Sequence, residues 1–359
     1  MKSLEIFLRK IILKFLLLFK KERTKRKPSL PDKSSKILIV RLNRIGDALV
    51  TTPLLTVLKK TCDSQITVLA DRKNSFVFEH CPAVDEIIIF RKGIKGFLGI
   101  IREINKKKYD FVVDLHDDVS TTVSFLLAMI DSPNILGLKK NTELLYTYTC
   151  TKLQPSENHV VDRTMSILGA WEIDFHDESI NISYEVSDKT DSKIKSLIGS
   201  YFPDKKFLLG INISAGSSAR FWGIENFIRL LDNLDEGKYD IILLCAPSDV
   251  NLLNTLNKGS YKSYFTPDFE EFAAVVSNLD LLFTPDTSVV HIASAFGIPV
   301  FGLYVQYNTD DIIWYPYKST YEAVITKEPD FKNLSFETVI DKFNPFLETI
   351  YNAKRNSKM

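Results

Sequence analysis

One stretch, in which a strand, a polar turn, a helix and a second strand follow one another closely, constrains the fold of this chain most. The mostly apolar run Leu279–Phe283 predicts a buried strand, and residues 284–288 form a polar turn after it. A helix of about ten residues should follow and end at Gly297, before a second strand over Val300–Tyr304. A strand–helix–strand unit of this kind predicts parallel strands within an α/β domain.

The polar turn of this stretch favours a helix start. Its last three residues all suit the N-cap position: Asp286, Thr287 and Ser288. A helix start combines free amides with a partial positive charge, and together these form a site for phosphate. Because such turns most often only cap their helix, a role in ligand binding depends on what the rest of the chain supplies.

The same alternation runs through both halves of the chain. In the first half, strand-like runs lie at Lys36–Leu42, Ile66–Ala70, Glu86–Phe90 and Phe111–Leu115, with helical stretches at Lys73–His80 and Lys95–Lys107. In the second half, strand-like runs lie at Phe207–Ile213, Ile241–Cys245 and Ser263–Thr266, with helical stretches at Glu225–Leu234, Val250–Asn257 and Phe269–Ser277. This pattern, in a chain of 359 residues, predicts two Rossmann-like domains with doubly wound parallel sheets.

Cysteine usage and missing motifs exclude several classes of protein. The four cysteines are far apart and form no C-x-x-C pair, which argues against a disulfide framework or a zinc knuckle and fits a reducing compartment. Neither half carries G-x-G-x-x-G, which argues against a nicotinamide or flavin enzyme, and no G-x-x-x-x-G-K-[ST] motif of a P-loop ATPase is present.

Positive charge is concentrated at the N-terminus. Ten Lys and Arg residues against two Glu give residues 1–30 a net charge of +8, whereas the whole chain carries +1, so the remainder carries −7. Lys10 and Lys14 interrupt the apolar part of this tail, and a spanning helix needs about 20 mostly apolar residues. On a helix these lysines share one side, while Ile11 and Phe15 line another. We therefore expect an amphipathic helix on an anionic membrane surface and no nucleic-acid partner; packing on the body or on a partner chain is the alternative.

The turn after the first predicted strand carries Asp47. Gly46 permits a sharp turn there, and the carboxyl ends of parallel strands are where such sheets bind ligands. The carboxylate has two candidate roles, a helix cap and a general base. A helix start lowers its basicity, and a dry cleft raises it. Pro53 either kinks the following helix or marks a later start capped by Thr52.

Three basic residues of the first half are further candidates. His116 lies in a turn whose neighbours are carboxylates, and since two adjacent carboxylates do not easily face one ion, we expect a solvated loop or a substrate contact rather than a metal site. His159 and Arg163 are one helical turn apart. They either bind an anionic acceptor or lie on a surface helix with local ion pairs.

A small-residue loop with a cation follows the first strand of the second half: Ser214, Gly216, Ser217 and Arg220. Backbone amides of such a loop wrap phosphates, and an arginine neutralises a diphosphate. With the turn at 286–288, this domain has two elements directed at phosphate. His291, one turn into the helix after Asp286, suits a packed core histidine when considered alone.

Three motifs together resemble glycosyltransferase family 9, the ADP-heptose:lipopolysaccharide heptosyltransferase type. The N-terminal motif is matched by Arg41, Gly46, Asp47, Thr51 and Pro53. The middle motif is matched by Ala215, Gly216, Arg220 and Trp222. The C-terminal motif is matched by Asp286, Thr287, Ser288, His291, Ala293, Ala295 and Pro299. The similarity covers residues 36–330.

The resemblance implies the GT-B fold, an α/β architecture of two facing Rossmann-like domains with doubly wound parallel sheets. We place the acceptor domain at 36–185, a connecting segment at 186–206 and the nucleotide-sugar donor domain at 207–330. The family also implies a C-terminal helix, here within 331–359, that packs back on the N-terminal domain. Residues 1–35 add the basic tail with its amphipathic helix.

The resemblance also implies the reaction: inverting, metal-independent transfer of a sugar from a nucleotide-diphosphate donor, ADP-heptose in the family, to a lipid-linked glycan of the lipopolysaccharide type or another envelope glycan, with no cofactor. Asp47 resembles the general base, and Arg220 the cation that stabilises the leaving diphosphate. The donor-binding residues would be Ser214, Gly216, Ser217, Asp286, Thr287, Ser288 and His291. The acceptor-binding residues would be Arg44, Gly46, His116, His159 and Arg163.

The expected location is cytoplasmic and peripheral, on the inner face of a bacterial cytoplasmic membrane, because an acceptor anchored in the inner leaflet would explain a basic amphipathic tail. Two alternatives have the same fold: a non-catalytic, membrane-tethered binding protein and a nucleotide-sugar epimerase. Analysis of the product separates the three.

Overall fold

The computed structural model describes residues 11–12, 14–15, 23–177, 179–257 and 261–356. The chain divides into two compact units. The first comprises the chain up to Gln154 together with Val160–Ile180, and the second comprises Pro155–His159 together with the chain from Asn181 onward. Each unit is built on a six-stranded sheet in which every pair of strands is parallel, and this confirms the predicted α/β class.

The first unit has the strand order β3-β2-β1-β4-β5-β6. Its strands are β1 (Lys36–Arg41), β2 (Gln65–Ala70), β3 (Glu86–Ile89), β4 (Phe111–Asp114), β5 (Asn134–Leu138) and β6 (Tyr148–Cys150). Its helices are α1 (Ile45–Leu49), α2 (Thr52–Cys62), α3 (Ile94–Lys107), α4 (Thr121–Met129) and α5 (Val160–Met165). The winding direction reverses between β1 and β4, where Val40 lies beside Asp114, and such a switch point is where open sheets bind ligands.

The second unit repeats this plan with the order β12-β11-β10-β7-β8-β9. Its strands are β7 (Phe207–Asn212), β8 (Tyr239–Leu244), β9 (Lys262–Tyr264), β10 (Leu281–Pro285), β11 (Val300–Val305) and β12 (Tyr321–Thr326). Its helices are α6 (Asp188–Tyr201), α7 (Ile224–Asp232), α8 (Val250–Asn257), α9 (Phe269–Ser277), α10 (Val289–Ala295) and α11 (Phe336–Asn356). The switch point lies between β7 and β10.

The central strands are apolar along their whole length because both faces of each sheet are covered. Ile37, Leu38, Ile39 and Val40 of β1 are all inaccessible to solvent, as expected for a parallel sheet between two helical layers. Each such side chain contributes about 1.5–3 kcal/mol by leaving water. Burial of this run therefore fixes β1 at the centre of the sheet and its carboxyl end at the switch point.

Several elements differ from the sequence predictions. The helix expected over Lys73–His80 is a short 3₁₀ turn, Ser75–Phe78. The strand expected at Leu279–Phe283 begins later, at Leu281. The residue before it, Asp280, bonds to Leu208 of β7 through both its side chain and its backbone. Its carboxylate accepts the amide of Leu208 (2.8 Å) and its own amide donates to the Leu208 carbonyl (2.8 Å).

The C-terminal helix does not follow the expectation that it packs back on the N-terminal domain. Phe336, Val339, Phe343 and Leu347 of α11 are buried in the core of the second unit. Their apolar spacing, three to four residues apart, presents one face of the helix to that core. Helix α6, predicted as part of a connecting segment at 186–206, likewise packs on α9 within the second unit.

The N-terminal tail has a second part that is bound to the first unit. The amides of Arg23 and Arg26 donate to the carbonyls of Leu144 and Thr147 (3.3 and 3.0 Å). The guanidinium of Arg23 donates to two carbonyls at the end of α4, those of Leu127 and Ile130, which lack helical partners (3.0 and 2.8 Å). The prediction of a membrane-associating tail over 1–35 is therefore wrong for residues 23–27, whose backbone and cations contact protein.

The amphipathic helix predicted before this segment lies mostly outside the described residues and stays a prediction. Ile11, Ile12, Lys14 and Phe15 are helical and exposed. No helix among the residues that the structure covers combines the length and the apolar character that crossing a bilayer requires.

Candidate active site

Asp47 lies at the carboxyl end of β1, on the first turn of α1. One carboxylate oxygen accepts the amide of Arg44 (3.3 Å), and the other accepts the side-chain amide of Asn43 (3.3 Å). The side chain is 16% exposed. The carboxylate thus caps its helix, as one of the two candidate roles required, and is still reached by solvent.

Arg41, the last residue of β1, stabilises this turn through hydrogen bonds of its buried guanidinium. It is 2% exposed, and its guanidinium donates to the carbonyls of Asp47 (2.9 Å) and Leu115. A third nitrogen lies 3.6 Å from the Asp47 carboxylate. Arg41 is part of the N-terminal sequence motif. The motif alone does not show that this buried cation holds Asp47 in place, because the contact forms only when the turn folds over the end of β1.

The chain after Asp47 breaks into two helices instead of bending. Pro53 occupies the second position of α2, where its missing amide costs nothing, and the N-cap residue is Thr51 rather than Thr52. The hydroxyl of Thr51 donates to the Asp47 carbonyl (2.8 Å). The late-start alternative for Pro53 is therefore correct, and α1 is a separate five-residue helix that presents Asp47.

His116 is buried instead of contacting an acceptor. Its Nδ1 lies 2.7 Å from the carboxylate of Asp114, and its Nε2 accepts the amide of Leu42 (3.3 Å). Lys140 and Tyr146 donate to the other oxygen of Asp114 (2.8 and 2.7 Å). Burial alone would raise the pKa of Asp114, but the hydrogen bond from His116 and the ammonium of Lys140 outweigh it and hold that pKa below its usual range. Both ring nitrogens are occupied, so the predicted acceptor contact of His116 is corrected to a structural role.

The other predicted acceptor residues lie at the start of α5 and around α1. His159 precedes α5, belongs to the second unit and stacks on Tyr317, with its Nε2 3.0 Å from the Tyr315 carbonyl. Arg163 belongs to the first unit, is 5% exposed and lies 3.5 Å from the carboxylate of Asp117. Both side chains are buried, so the alternative of a surface helix is wrong, and the acceptor contact of these two residues stays a prediction. Arg44 is exposed, and Gly46 is half-buried in α1.

The loop after β7 divides into an anchored part and an open part. The hydroxyl of Ser214 donates to Asp249 (2.5 Å) and accepts the amide of Ala246 (2.8 Å), so it joins the ends of β7 and β8. Gly216 has a φ of +65° and no atom within 4 Å of the place where a Cβ would be, and Ser217 is exposed. Gly216 and Ser217 are therefore available to a ligand, whereas the predicted donor contact of Ser214 is replaced by a structural one.

Arg220 and Asp286 form an ion pair at the carboxyl end of this sheet. One guanidinium nitrogen lies 3.2 Å from the Asp286 carboxylate, and another donates to the Asp286 carbonyl (3.1 Å). Burial raises the pKa of Asp286, and the charge of Arg220 opposes that rise. The structure thus joins the loop of the middle motif to the turn of the C-terminal motif.

The turn beside this pair offers further donors. Within the described part of the chain, no acceptor lies on the amides of Thr287 and Ser288, which precede α10. His291 is 3% exposed, and its Nδ1 has no hydrogen-bond partner there either. Burial, helped by the charge of His159, lowers the pKa of His291 to about 3, so the ring is neutral at physiological pH. Buried polar atoms without partners are rare in proteins.

Tyr304 is a neighbour of this site that the sequence did not indicate. Its hydroxyl is buried without a partner among the described residues. Burial first, and then the nearby charge of Asp286, raise the pKa of Tyr304 well above its usual value. Nothing in the apolar run of β11 distinguishes it from a core residue. In the same part of the chain, no three His, Cys, Asp or Glu side chains lie close enough to hold a metal ion.

Comparison with known proteins is consistent across sequence and fold. The family model of glycosyltransferase family 9 (heptosyltransferase) matches residues 97–343. Lipopolysaccharide heptosyltransferase 3 of Escherichia coli is 25% identical over 292 residues, which cover 76% of this chain and 82% of that protein. The lipopolysaccharide core heptosyltransferase OpsX of Haemophilus influenzae is 20% identical over 300 residues, 78% of this chain and 82% of that protein.

Solved structures share the whole architecture. A family 9 glycosyl transferase from Veillonella parvula superposes with a TM-score of 0.77 at 24% identity, covering 91% of this chain and 99% of the other. The E. coli ADP-heptose lipopolysaccharide heptosyltransferase II gives 0.71 at 15% identity, covering 89% and 99%. The E. coli heptosyltransferase WaaC with ADP gives 0.65 at 16% identity, covering 90% and 100%. These matches confirm the predicted GT-B fold class.

Proposed function

This chain belongs to glycosyltransferase family 9, and from that membership we propose that it moves a heptose from ADP-heptose to a lipopolysaccharide-type or other cell-envelope glycan, with inversion and without a metal ion. Support for the sugar and the acceptor comes from the lipopolysaccharide heptosyltransferases of E. coli and H. influenzae to which the chain is similar. Support for the mechanism comes from the residues at the carboxyl ends of the strands in each of the two sheets.

The observation that carries the proposal is the Arg220–Asp286 pair beside two unpaired amides. As the bond between the sugar and the diphosphate breaks, negative charge grows on the leaving oxygen. Arg220, 36% exposed and 3.2 Å from the Asp286 carboxylate, would supply a cation, and the amides of Thr287 and Ser288 would donate hydrogen bonds. In this proposal these groups take the role that a metal ion has in other transferases.

Asp47 is the proposed general base. In a single displacement, the acceptor oxygen bonds to the anomeric carbon as the diphosphate departs, and the hydroxyl proton passes to a carboxylate. Asp47 is partly exposed at a strand end and is held by Arg41 and Asn43. Arg44 and Gly46, beside it in sequence, are the proposed acceptor contacts.

We also propose that the protein works on the cytoplasmic face of a bacterial inner membrane, as a peripheral enzyme. The first 22 residues retain six Lys or Arg against two Glu. An amphipathic helix with such a charge suits an anionic leaflet.

The first prediction concerns Asp47→Asn. We expect transfer from ADP-heptose to a heptose-free lipopolysaccharide acceptor to fall at least about 100-fold, because general-base catalysis contributes about 10²–10⁴-fold. ADP binding, measured by calorimetry, should stay within twofold of wild type, and a chelator should leave wild-type turnover unchanged. Asp71→Asn, at the end of neighbouring β2, serves as the control because it removes a carboxylate of the same sheet edge.

Full turnover by Asp47→Asn would contradict its role as the base. Loss of turnover on chelation would contradict metal independence. Mass analysis of the product separates the alternatives, because an epimerase returns an altered nucleotide sugar and a binding protein returns the donor unchanged.

A further inference from the structure

The turn between β3 and α3 carries an unusually exposed apolar side chain. Ile94 is 81% exposed, more than any other large apolar side chain in the described part of the chain. It follows Gly93, whose φ of +83° lets the chain turn sharply outward before α3 begins. We call residues 91–95 the 91–95 loop. Exposure of this degree places Ile94 in water unless a partner covers it.

Cations flank this apolar tip in sequence and line the cleft next to the loop. Arg91, Lys92 and Lys95 lie in the 91–95 loop itself, and Arg72 and Lys73 lie in the turn after β2. The two turns form a cleft of about 380 Å³. Two carboxylates neutralise part of this positive charge: Asp71 lies 3.6 Å from Lys92, and Glu103 pairs with Arg91. The surface keeps a net positive charge on a body that is otherwise acidic.

The N-terminal tail supplies fewer free cations than its sequence indicates. Lys25 donates to the carbonyls of Glu143 and Tyr146, and Lys27 pairs with Glu172. Arg23 and Arg26 are likewise engaged with carbonyls of the first unit. In contrast, Arg72, Lys73 and Lys95 form no ion pair within the residues that the structure covers. Residues 23–27 therefore offer little free positive charge to an outside partner, whereas the 91–95 loop and the turn after β2 do offer it.

We propose that the 91–95 loop docks on an anionic phospholipid surface, with Ile94 inserted among the headgroups and the cations of the loop and of the turn after β2 placed on lipid phosphates. An exposed aliphatic side chain flanked by Lys and Arg matches such a surface in both of its layers, the apolar interior and the negative headgroups. A folded protein partner would need a larger apolar patch than one side chain.

Docking at this loop would also fix how the first unit meets the membrane. The loop is at the carboxyl end of β3, and Asp47 is at the carboxyl end of β1, with β2 between them. Two strand spacings amount to about 10 Å. The docking stands independently of the catalytic role, but the consequence that Asp47 is presented to a lipid-linked acceptor rests on the proposed function.

A fluorescent label at position 94 tests the docking directly. All four native cysteines are buried, so Ile94→Cys gives the full-length protein one reactive thiol for an environment-sensitive nitrobenzoxadiazole label. The matched control is Ile325→Cys, an exposed isoleucine (44%) on β12 of the second unit. With phosphatidylglycerol-rich vesicles we expect a blue shift and a severalfold rise in emission at 94, no change at 325, and no response to phosphatidylcholine alone.

A second measurement uses vesicle sedimentation. Ile94→Asp and the triple change of Arg91, Lys92 and Lys95 to Gln should each weaken binding to phosphatidylglycerol vesicles at least fivefold, while melting temperature and transfer to a short, lipid-free acceptor stay unchanged. An unshifted label at 94 on vesicle-bound protein, an equal shift at 325, or wild-type vesicle binding by both variants would overturn the proposal. None of these outcomes depends on whether the protein transfers a sugar, so failure of the docking and failure of the proposed function are distinguishable.

Discussion

At the scale of single residues, Asp47 shows how a carboxylate that caps a helix stays available for the proposed reaction. Its hydrogen bonds to Arg44 and Asn43 are long, 3.3 Å each, and leave lone pairs on both oxygens. The cap therefore orients the carboxylate without consuming it. Arg41 completes the arrangement, because it binds the Asp47 carbonyl and lies beside the carboxylate at the same time.

The second prediction follows from this position of Arg41. Arg41→Met removes the hydrogen bonds to two carbonyls and the neighbouring charge, so we expect kcat to fall about 10- to 100-fold, since small displacements of a catalytic group have effects of this size. The KM for donor should change less than twofold, because the proposed donor-binding residues lie in the other unit. Arg41→Lys, which keeps the charge but reaches fewer carbonyls, should recover part of kcat. If kcat fell equally in both variants, or if only the KM changed, Arg41 would have a merely structural role.

The third prediction concerns pH and His291. In the folded protein this ring stays neutral down to a pKa of about 3, whereas the unfolded chain binds a proton below its ordinary value of 6.5. The unfolded state therefore gains protons first as the pH falls, and stability declines between pH 6.5 and 3. Between pH 7 and pH 5 we expect this histidine to cost about 2 kcal/mol of unfolding free energy.

His291→Phe should remove this loss, because a phenyl ring keeps the contact with Trp314 but does not titrate. Urea unfolding at pH 7 and pH 5 measures the difference. The exposed His176, changed to Gln, serves as the control and should leave the wild-type pH dependence in place. The same slope in His291→Phe as in wild type would show that other groups cause the acid sensitivity.

At the scale of elements, the sequence predicted the central strands β1, β7 and β10 well and missed three of the twelve strands. β1, β7 and β10 are buried on both faces, so their continuous apolar runs were visible to a pattern search, apart from a shift of two residues in β10. β5, β6 and β12 were not predicted. β6 has three residues, and β12 lies at a sheet edge with only its two central residues buried. Short or half-exposed strands leave little periodic signal.

For the candidate site, the sequence predicted features that depend on neighbouring residues and missed contacts between residues distant in the chain. The motif around Asp47 and the turn at 286–288 were predicted because strand ends and capping residues are local features. The ion pair of Arg220 with Asp286 joins residues 66 apart in sequence, and no local pattern reports such a contact. The burial of His116 was missed for the same reason, since Lys140 and Tyr146 approach Asp114 from beyond β5.

The fourth prediction concerns α11, whose apolar face completes the core of the second unit. Phe343 is inaccessible to solvent and packs edge-on against Phe283 of β10 and Phe301 of β11, with ring centroids 5.2 and 5.0 Å away. Phe343→Ala should lower the unfolding free energy by about 3–5 kcal/mol, as loss of a buried phenyl ring does. It should also weaken ADP binding, because β10 leads into the turn proposed to bind the donor. Asn352→Ala, on the exposed side of α11, is the control, and a Phe343→Ala protein of wild-type stability would contradict this packing.

At the scale of the whole molecule, the N-terminal tail has two parts with different physical roles. Residues 23–35 are attached to the first unit: Pro28 and Pro31 are buried, and Ser64 donates to the Asp32 carbonyl (2.8 Å). Residues before 23 carry the charge and the apolar side chains that suit a lipid surface. The boundary between the structural segment and the segment that we propose for membrane binding therefore falls within the basic run, where composition shows no change.

The fifth prediction uses this boundary. A chain that begins at residue 23 should melt within about 2 °C of the full-length protein, whereas a chain that begins at residue 36 should melt several degrees lower. Loss of residues 23–35 removes the backbone hydrogen bonds of Arg23 and Arg26 and the cap that Arg23 provides for α4. Each lost hydrogen bond costs about 1 kcal/mol. For units of this size, about 1 kcal/mol corresponds to roughly 2–4 °C. Arg23→Ala in the full-length chain should reproduce part of the drop. Identical melting of the two truncated chains would mean that residues 23–35 contribute no stability, and the whole basic region would then be free to act at the membrane.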